Sequence, residues 1–142
     1  MYSKKVTIIV PCYNVAETLP RFLESVLRQT YRNIQLIAVD DGSTDNTAEI
    51  LKKYREKFLQ ENMDFLYIYQ ENQGLGGAIN TGLKHIDGDY LCWADPDDFY
   101  METSVEERLK ILEEHKEYDI VSSDAYYYNS DDLTTPIKKA TD

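Results

Sequence analysis

Cations are scarce in this sequence: 15 Lys and Arg stand against 26 Asp and Glu, a net charge of −11 over 142 residues. That balance excludes a nucleic-acid backbone as partner, which needs Lys and Arg gathered on one face, and also plain electrostatic docking to anionic lipid. A small phosphorylated ligand is not excluded, because a divalent cation can bridge carboxylates to phosphate. Cysteine is scarce too. Cys12 and Cys92 are the only two; they make no disulfide framework and read as reduced, buried packing thiols of a cytoplasmic chain. No apolar run approaches the ~20 residues of a membrane span. The start, MYSKK, is polar, and VTIIVPCY is short and broken by Pro11, so no signal peptide is expected. The two histidines, His85 and His115, show no ligand spacing and read as surface helix residues. There is no internal repeat and no low-complexity segment.

What is present is the composition of a folded domain, 42% apolar and 29% charged, in a length that suits one domain with a real core. VTIIV (6–10) is β-branched and apolar, as a strand buried on both faces would be, and Pro11 is expected to end it. From Glu17 the period changes: Leu19, Phe22, Leu23, Val26 and Leu27 recur at helical spacing, with Arg21, Glu24 and Arg28 on the other face. IQLIAV (34–39) is a second buried strand, running into the turn formers DDGSTDNT. A helix follows with Ala48, Ile50, Leu51, Tyr54 and Phe58 inward. FLYIY (65–69) predicts a third strand, NQGLGG a loop, AINTGLKHI (78–86) a short helix, DGD (87–89) a turn and YLCWA a fourth strand. An amphipathic helix from Ser104 carries Val105, Leu109, Ile111 and Leu112. DIVSSDAYYYN, from 119, predicts a fifth strand, and NSDDLTTPIKKATD a loop.

The expected fold class is therefore α/β, in the order βαβαβαβαβ, with a mostly parallel sheet and helices on both faces. Ligands of such sheets bind outside the carboxyl ends of the strands. PCYN, DDGSTD, NQGLGG and DPDD each follow one strand, so four unlike motifs are expected at one edge.

Each motif has a chemical reading and a plain one. In LCWADPDDFY, Asp95 and Asp97 lie two apart where a strand relaxes into a turn, so both carboxylates can reach one hard cation. Mg²⁺ and Mn²⁺ favour such oxygens, with substrate phosphates completing the shell. The plain reading is a solvated turn. An EF-hand is rejected, because the position that needs Gly holds Tyr100. Asp41 closes a buried strand and can accept from a base N–H or a ribose hydroxyl, whereas Ser43, Thr44 and Asp45 read as caps of the next helix. NQGLGGAIN is not a dinucleotide fingerprint: Ile79 stands where the last glycine belongs, and the motif does not follow the first strand. Tyr13 can stack on a base or pack half-buried. Tyr126, Tyr127 and Tyr128 can line an acceptor groove or simply form a strand.

VTIIVPCYN, QLIAVDDGSTDNT, NQGLGGAINTGL and DYLCWADPDDFY, in this order and at these intervals, resemble the family 2 glycosyltransferases of the GT-A fold over roughly residues 5 to 125. The resemblance implies the Rossmann-like nucleotide-binding half of that fold and a bacterial, metal-dependent, inverting transfer from a nucleotide sugar. It implies a UDP-sugar as donor, Mn²⁺ or Mg²⁺ as cofactor, and a carbohydrate acceptor such as a growing polysaccharide. Pro11, Tyr13 and Asn14 match positions around the uridine pocket, Asp41 the carboxylate that reads the base, and Asp95 and Asp97 the DxD pair at ribose, metal and diphosphate, with Asp98 extending it. The family's catalytic base lies in the second half of its domain, beyond Asp142. Residues 1–142 are therefore expected to be a single donor-binding domain truncated before the acceptor half, with peripheral membrane association of a longer chain left open. Where many relatives carry Ala-Arg-Asn after the glycine loop, this chain has Ala78, Ile79 and Asn80. A non-catalytic nucleotide-binding or interaction module and a nucleotidyltransferase are the competing readings; the second usually brings a basic glycine-rich loop at the first strand, which VPCYN lacks.

Overall fold

The computed structural model describes residues 3–140; the polar start at Met1 and Tyr2 and the chain end at Thr141 and Asp142 lie outside the described residues. The β-branched run at 6–10 forms the centre of β1 (Val6–Cys12), and the second apolar run forms β2 (Ile34–Asp41). Every residue of both strands is buried, which fits central parallel strands covered on two faces. β3 (Asp64–Gln70) pairs with β2 and β4 (Tyr90–Trp93) with β1, all parallel, in the order β3-β2-β1-β4. Between them lie α1 (Leu19–Leu27), α2 (Thr47–Gln60) and α3 (Gly74–Leu83). Ile9, Ile37 and Val39 share one face with Ala78 of α3. Their strand neighbours Ile8, Leu36 and Ala38 point the other way and are equally buried, while α2 packs on β2, β3 and α1. Helices thus cover both faces, as the alternation of elements requires.

Pro11 does not end the first strand. Ile9 accepts from Ala94 N–H on the β4 side, and strand sides alternate, so Pro11's missing donor falls on that same side. The β1–β4 ladder stops at Ile9 opposite Trp93, so β4 has already left and no ladder bond is lost.

At the amino ends of the strands the sheet is closed by a polar clamp. Lys5 Nζ lies 2.5 Å from Asp64 and 2.7 Å from Asp87. Buried Thr7 donates to Gln35 Oε1 at 2.6 Å, and the same oxygen accepts from Asp87 N–H at 2.9 Å. Gly88 fits because its backbone is pressed against Thr7 and Lys5.

Three expectations fail near the ends of elements. NQGLGG is not a loop throughout, because α3 begins at Gly74, and it ends at Leu83, leaving His85 in an exposed turn. No fifth strand joins the sheet: residues 119–125 are irregular, and β5 (Tyr126–Asn129) pairs antiparallel with β6 (Asp132–Lys139). The segment expected to be a loop therefore supplies a strand, reached through a two-residue turn at Ser130 and Asp131. α4 (Ser104–Glu114) precedes this hairpin. The chain divides into two compact units, one up to Glu106 and one from Glu107 on.

Candidate functional site

The parallel order brings the carboxyl ends of β1 to β4 to one edge. After β1 the chain builds leftward through β2 and β3, then returns to place β4 on the other side of β1. The crevice of such a sheet opens where the order reverses, here between β1 and β4, where the ladder stops early.

The loop after β1 is stapled to the loop after β2. Asn14 adopts φ 51°, a left-handed conformation that Asn tolerates. Its Oδ1 accepts from Thr44 N–H at 2.7 Å and Asp45 N–H at 3.3 Å, and its own N–H donates to Ser43 Oγ at 3.0 Å. Ser43 and Thr44 therefore hold Asn14 rather than cap α2, and the cap position falls to Asn46, which makes no side-chain cap bond; Asp45, one residue earlier, accepts from Thr47 N–H at 2.9 Å. Loss of water pushes the Asp45 carboxyl up, but hydrogen bonds from Thr47 and Ala16 outweigh it and hold the group below the usual range. Pro11 is buried in β1, and Tyr13, just beyond the strand, is 53% exposed and presents its ring to solvent.

Asp40 and Asp41 close β2, both buried. Asp40 accepts from Ser43 N–H at 3.0 Å and from the Tyr67 hydroxyl at 3.2 Å. Burial first, then the Asp40 charge, pushes the Tyr67 phenol up to about 12. Asp41 Oδ1 accepts from Gln73 N–H at 2.8 Å and Gln70 Nε2 at 2.7 Å, while Oδ2 has no partner among the described residues. Gly42, at φ 77°, lets the turn approach Asn72, whose N would lie 3.0 Å from an added Cβ.

β4 ends at Trp93, and DPDD follows. The side chains of Asp95 and Asp97 are exposed and, among the described residues, make no ion pair. The Asp98 carboxyl is pushed above the usual range by partial loss of water, then by the charges of Asp97 and Asp95, with Arg21 opposing. Arg21 of α1 donates from Nη2 to the Asp97 carbonyl at 2.5 Å and lies over the Phe99 ring, 5.7 Å from its centroid. Further down α1, Ser25 Oγ accepts from Tyr100 N–H at 3.0 Å, and Gln29, just past the helix end, donates to the Met101 carbonyl at 2.8 Å while accepting from Val105 N–H at 3.0 Å. Cys12 is not a nucleophile here: burial, then Asp40 and Asp45, drives its thiol far up, and it stays protonated.

A family profile described as glycosyl transferase family 2 matches residues 7–140. The chain belongs to that family. Among curated relatives of this family 2 chain, glycosyltransferase GlyA of Streptococcus pneumoniae is 42% identical over 131 residues, 91% of this chain and 18% of GlyA. The minor teichoic acid biosynthesis protein GgaB of Bacillus subtilis is 38% identical over 85% of this chain and 13% of its own length. Among solved structures, S. aureus TarS 1-349 in complex with UDP-GlcNAc superposes with TM-score 0.72 at 28% identity, covering 79% of this chain and 32% of that one. Mannosyltransferase PcManGT from Pyrobaculum calidifontis, in complex with GDP-Man and Mn²⁺, gives TM-score 0.73 at 27% identity, over 79% of this chain and 33% of that one. The chain thus spans a fifth or less of these two curated relatives and about a third of the solved chains. The mostly parallel sheet expected for the GT-A fold is the one observed.

The oxygen chemistry at DPDD fits a divalent cation in part. Asp95 and Asp97 are hard oxygen donors left unpaired at the crevice, and no third His, Cys, Asp or Glu joins them in a metal-holding group among the described residues. Two carboxylates with the remaining positions given to phosphate and water is how Mg²⁺ is commonly held. Sequence reasoning missed Gln70, Gln73, Ser25, Gln29 and Arg21; only Gln73 lies in a motif, NQGLGG, where it acts through its main-chain N–H, and the others act across a long sequence separation.

Proposed function

We propose that this chain is the donor-binding portion of a glycosyltransferase that moves a sugar from a UDP-sugar to a carbohydrate acceptor of the surface-polysaccharide kind, with inversion. The observation that carries the reading is the convergence at one sheet edge, beside the β1/β4 switch, of an exposed aromatic, a buried carboxylate with one oxygen unused, and two unpaired carboxylates. Tyr13 and Pro11 shape the base pocket, Asn14 fixes its loop, and Asp41 reads the base. Asp95 takes the ribose, and with Asp97 it holds Mn²⁺ or Mg²⁺ against the diphosphate. A cation bound there supplies charge neutralisation to the departing diphosphate. The UDP-GlcNAc and GDP-Man–Mn²⁺ complexes of the structural neighbours support the donor class and the metal, and the teichoic acid relative supports the acceptor class. Among the described residues no helix is long and apolar enough to cross a membrane. With both cysteines free, we place the portion on the cytoplasmic side, where nucleotide sugars are made.

Calorimetric titration of UDP with Mn²⁺, and again in EDTA, tests the reading. Binding is expected to be far tighter with metal, and to fall in EDTA and in Asp97→Ala to the weaker level that the base and ribose contacts alone supply. Equal heats in EDTA, or full binding by the variant, would reject the metal assignment.

A further inference from the structure

α1 and the residues just past its end carry a polar row whose target is the main chain that follows β4. Arg21 and Ser25 stand four apart on one face of α1, and Gln29, four further on, follows just past the helix end. They grip the Asp97 carbonyl, the Tyr100 amide, and the Met101 carbonyl with the Val105 amide, in that order along the loop. Ser25 and Gln29 are buried in the core and set the far part of the loop. Arg21 is different: it sits at the end of the row nearest DPDD and takes hold of Asp97 itself. Its Nε is buried with no hydrogen-bond partner, which is unfavourable for a polar atom, and its far end is spent on Asp97 and Phe99.

We propose that Arg21 is a positioning residue for the metal–diphosphate loop. By fixing the Asp97 carbonyl, it holds the Asp95 and Asp97 carboxylates in the spacing that a cation and a diphosphate need. The base end of the donor is held by Asp41 at the end of β2 and Tyr13 just after β1 and does not depend on it. This inference rests on the donor-site reading above.

The test measures two ligands on wild type, Arg21→Met and Arg21→Lys: UDP with Mn²⁺, and UMP in EDTA, which lacks the diphosphate. Loss of a residue that orients metal ligands typically costs about tenfold or more. Arg21→Met is expected to weaken UDP–Mn²⁺ binding by about that factor and to leave UMP unchanged, with Arg21→Lys recovering part of the loss. Unchanged UMP binding also shows that the variant is folded; if it is not, the lysine variant carries the comparison, with a smaller loss for UDP–Mn²⁺ alone. Wild-type affinity for UDP–Mn²⁺ in the methionine variant would overturn the inference, and so would an equal loss for both ligands, which would make Arg21 a general support of the fold. If wild type itself fails to bind UDP with Mn²⁺, the donor reading fails and this inference falls with it.

Discussion

Tyr67 ties the chemistry of the β2 end to pH. Its hydroxyl donates to Asp40, and burial together with that carboxylate holds the phenol at about 12. A raised folded value means that the native chain keeps a proton that the unfolded chain releases near the ordinary tyrosine value. The stabilisation is therefore complete below about 10 and is lost as pH rises through the folded value. Between those limits wild type should lose stability faster than Tyr67→Phe, as followed by chemical denaturation over a pH series. Parallel curves for the two proteins would show that the Asp40 contact is not formed in solution. At the same scale, the motif residues were readable because their chemistry is local: a carboxylate at a strand end advertises itself. Arg21 was not. In the sequence it is one more cation on the polar side of a helix, and its partner Asp97 lies 76 positions away.

At the scale of elements, β1 to β4 and the helices between them were legible because continuous apolar runs and helical periods do not resemble one another. The misreadings lie where composition is ambiguous. DIVSSDAYYYN has strand-like residues, but only Tyr126–Asn129 form a strand, paired with β6 and not with the parallel sheet, and the turn formers Asn129–Asp132 that mark a hairpin pass equally well for the start of a loop. Pro136 weakened the strand signal further, yet a two-stranded ribbon is all edge and accepts it. The turn before β4 makes a sharper prediction. A Cβ on Gly88 would lie 2.6 Å from Thr7 Oγ1 and 2.7 Å from Thr7 N. The neighbouring backbone cannot give way cheaply, so Gly88→Ala is expected to cost about 1–3 kcal/mol, read as a lowered urea midpoint. An unchanged midpoint would mean that the β1–β4 junction is looser than described.

At the scale of the whole molecule, burial is unevenly distributed. β1 and β2 are fully enclosed, whereas nearly every residue of the β5–β6 ribbon is exposed, and an isolated ribbon is marginally stable in water. Hydrogen exchange should therefore divide the chain: amides of β1 and β2 open only with global unfolding, and those of β5 and β6 by local opening at far higher rates. Comparable protection in both would contradict that division. The edge that carries the site has a further property. Asn14, Asp41, Arg21, Ser25 and Gln29 all take hold of carbonyls or amides of the loops. A grip on the main chain is indifferent to which side chains the loop displays. Loop residues can then be exchanged, by drift or by an engineer, without the loop losing its course, so that one chassis can be refitted for different ligands.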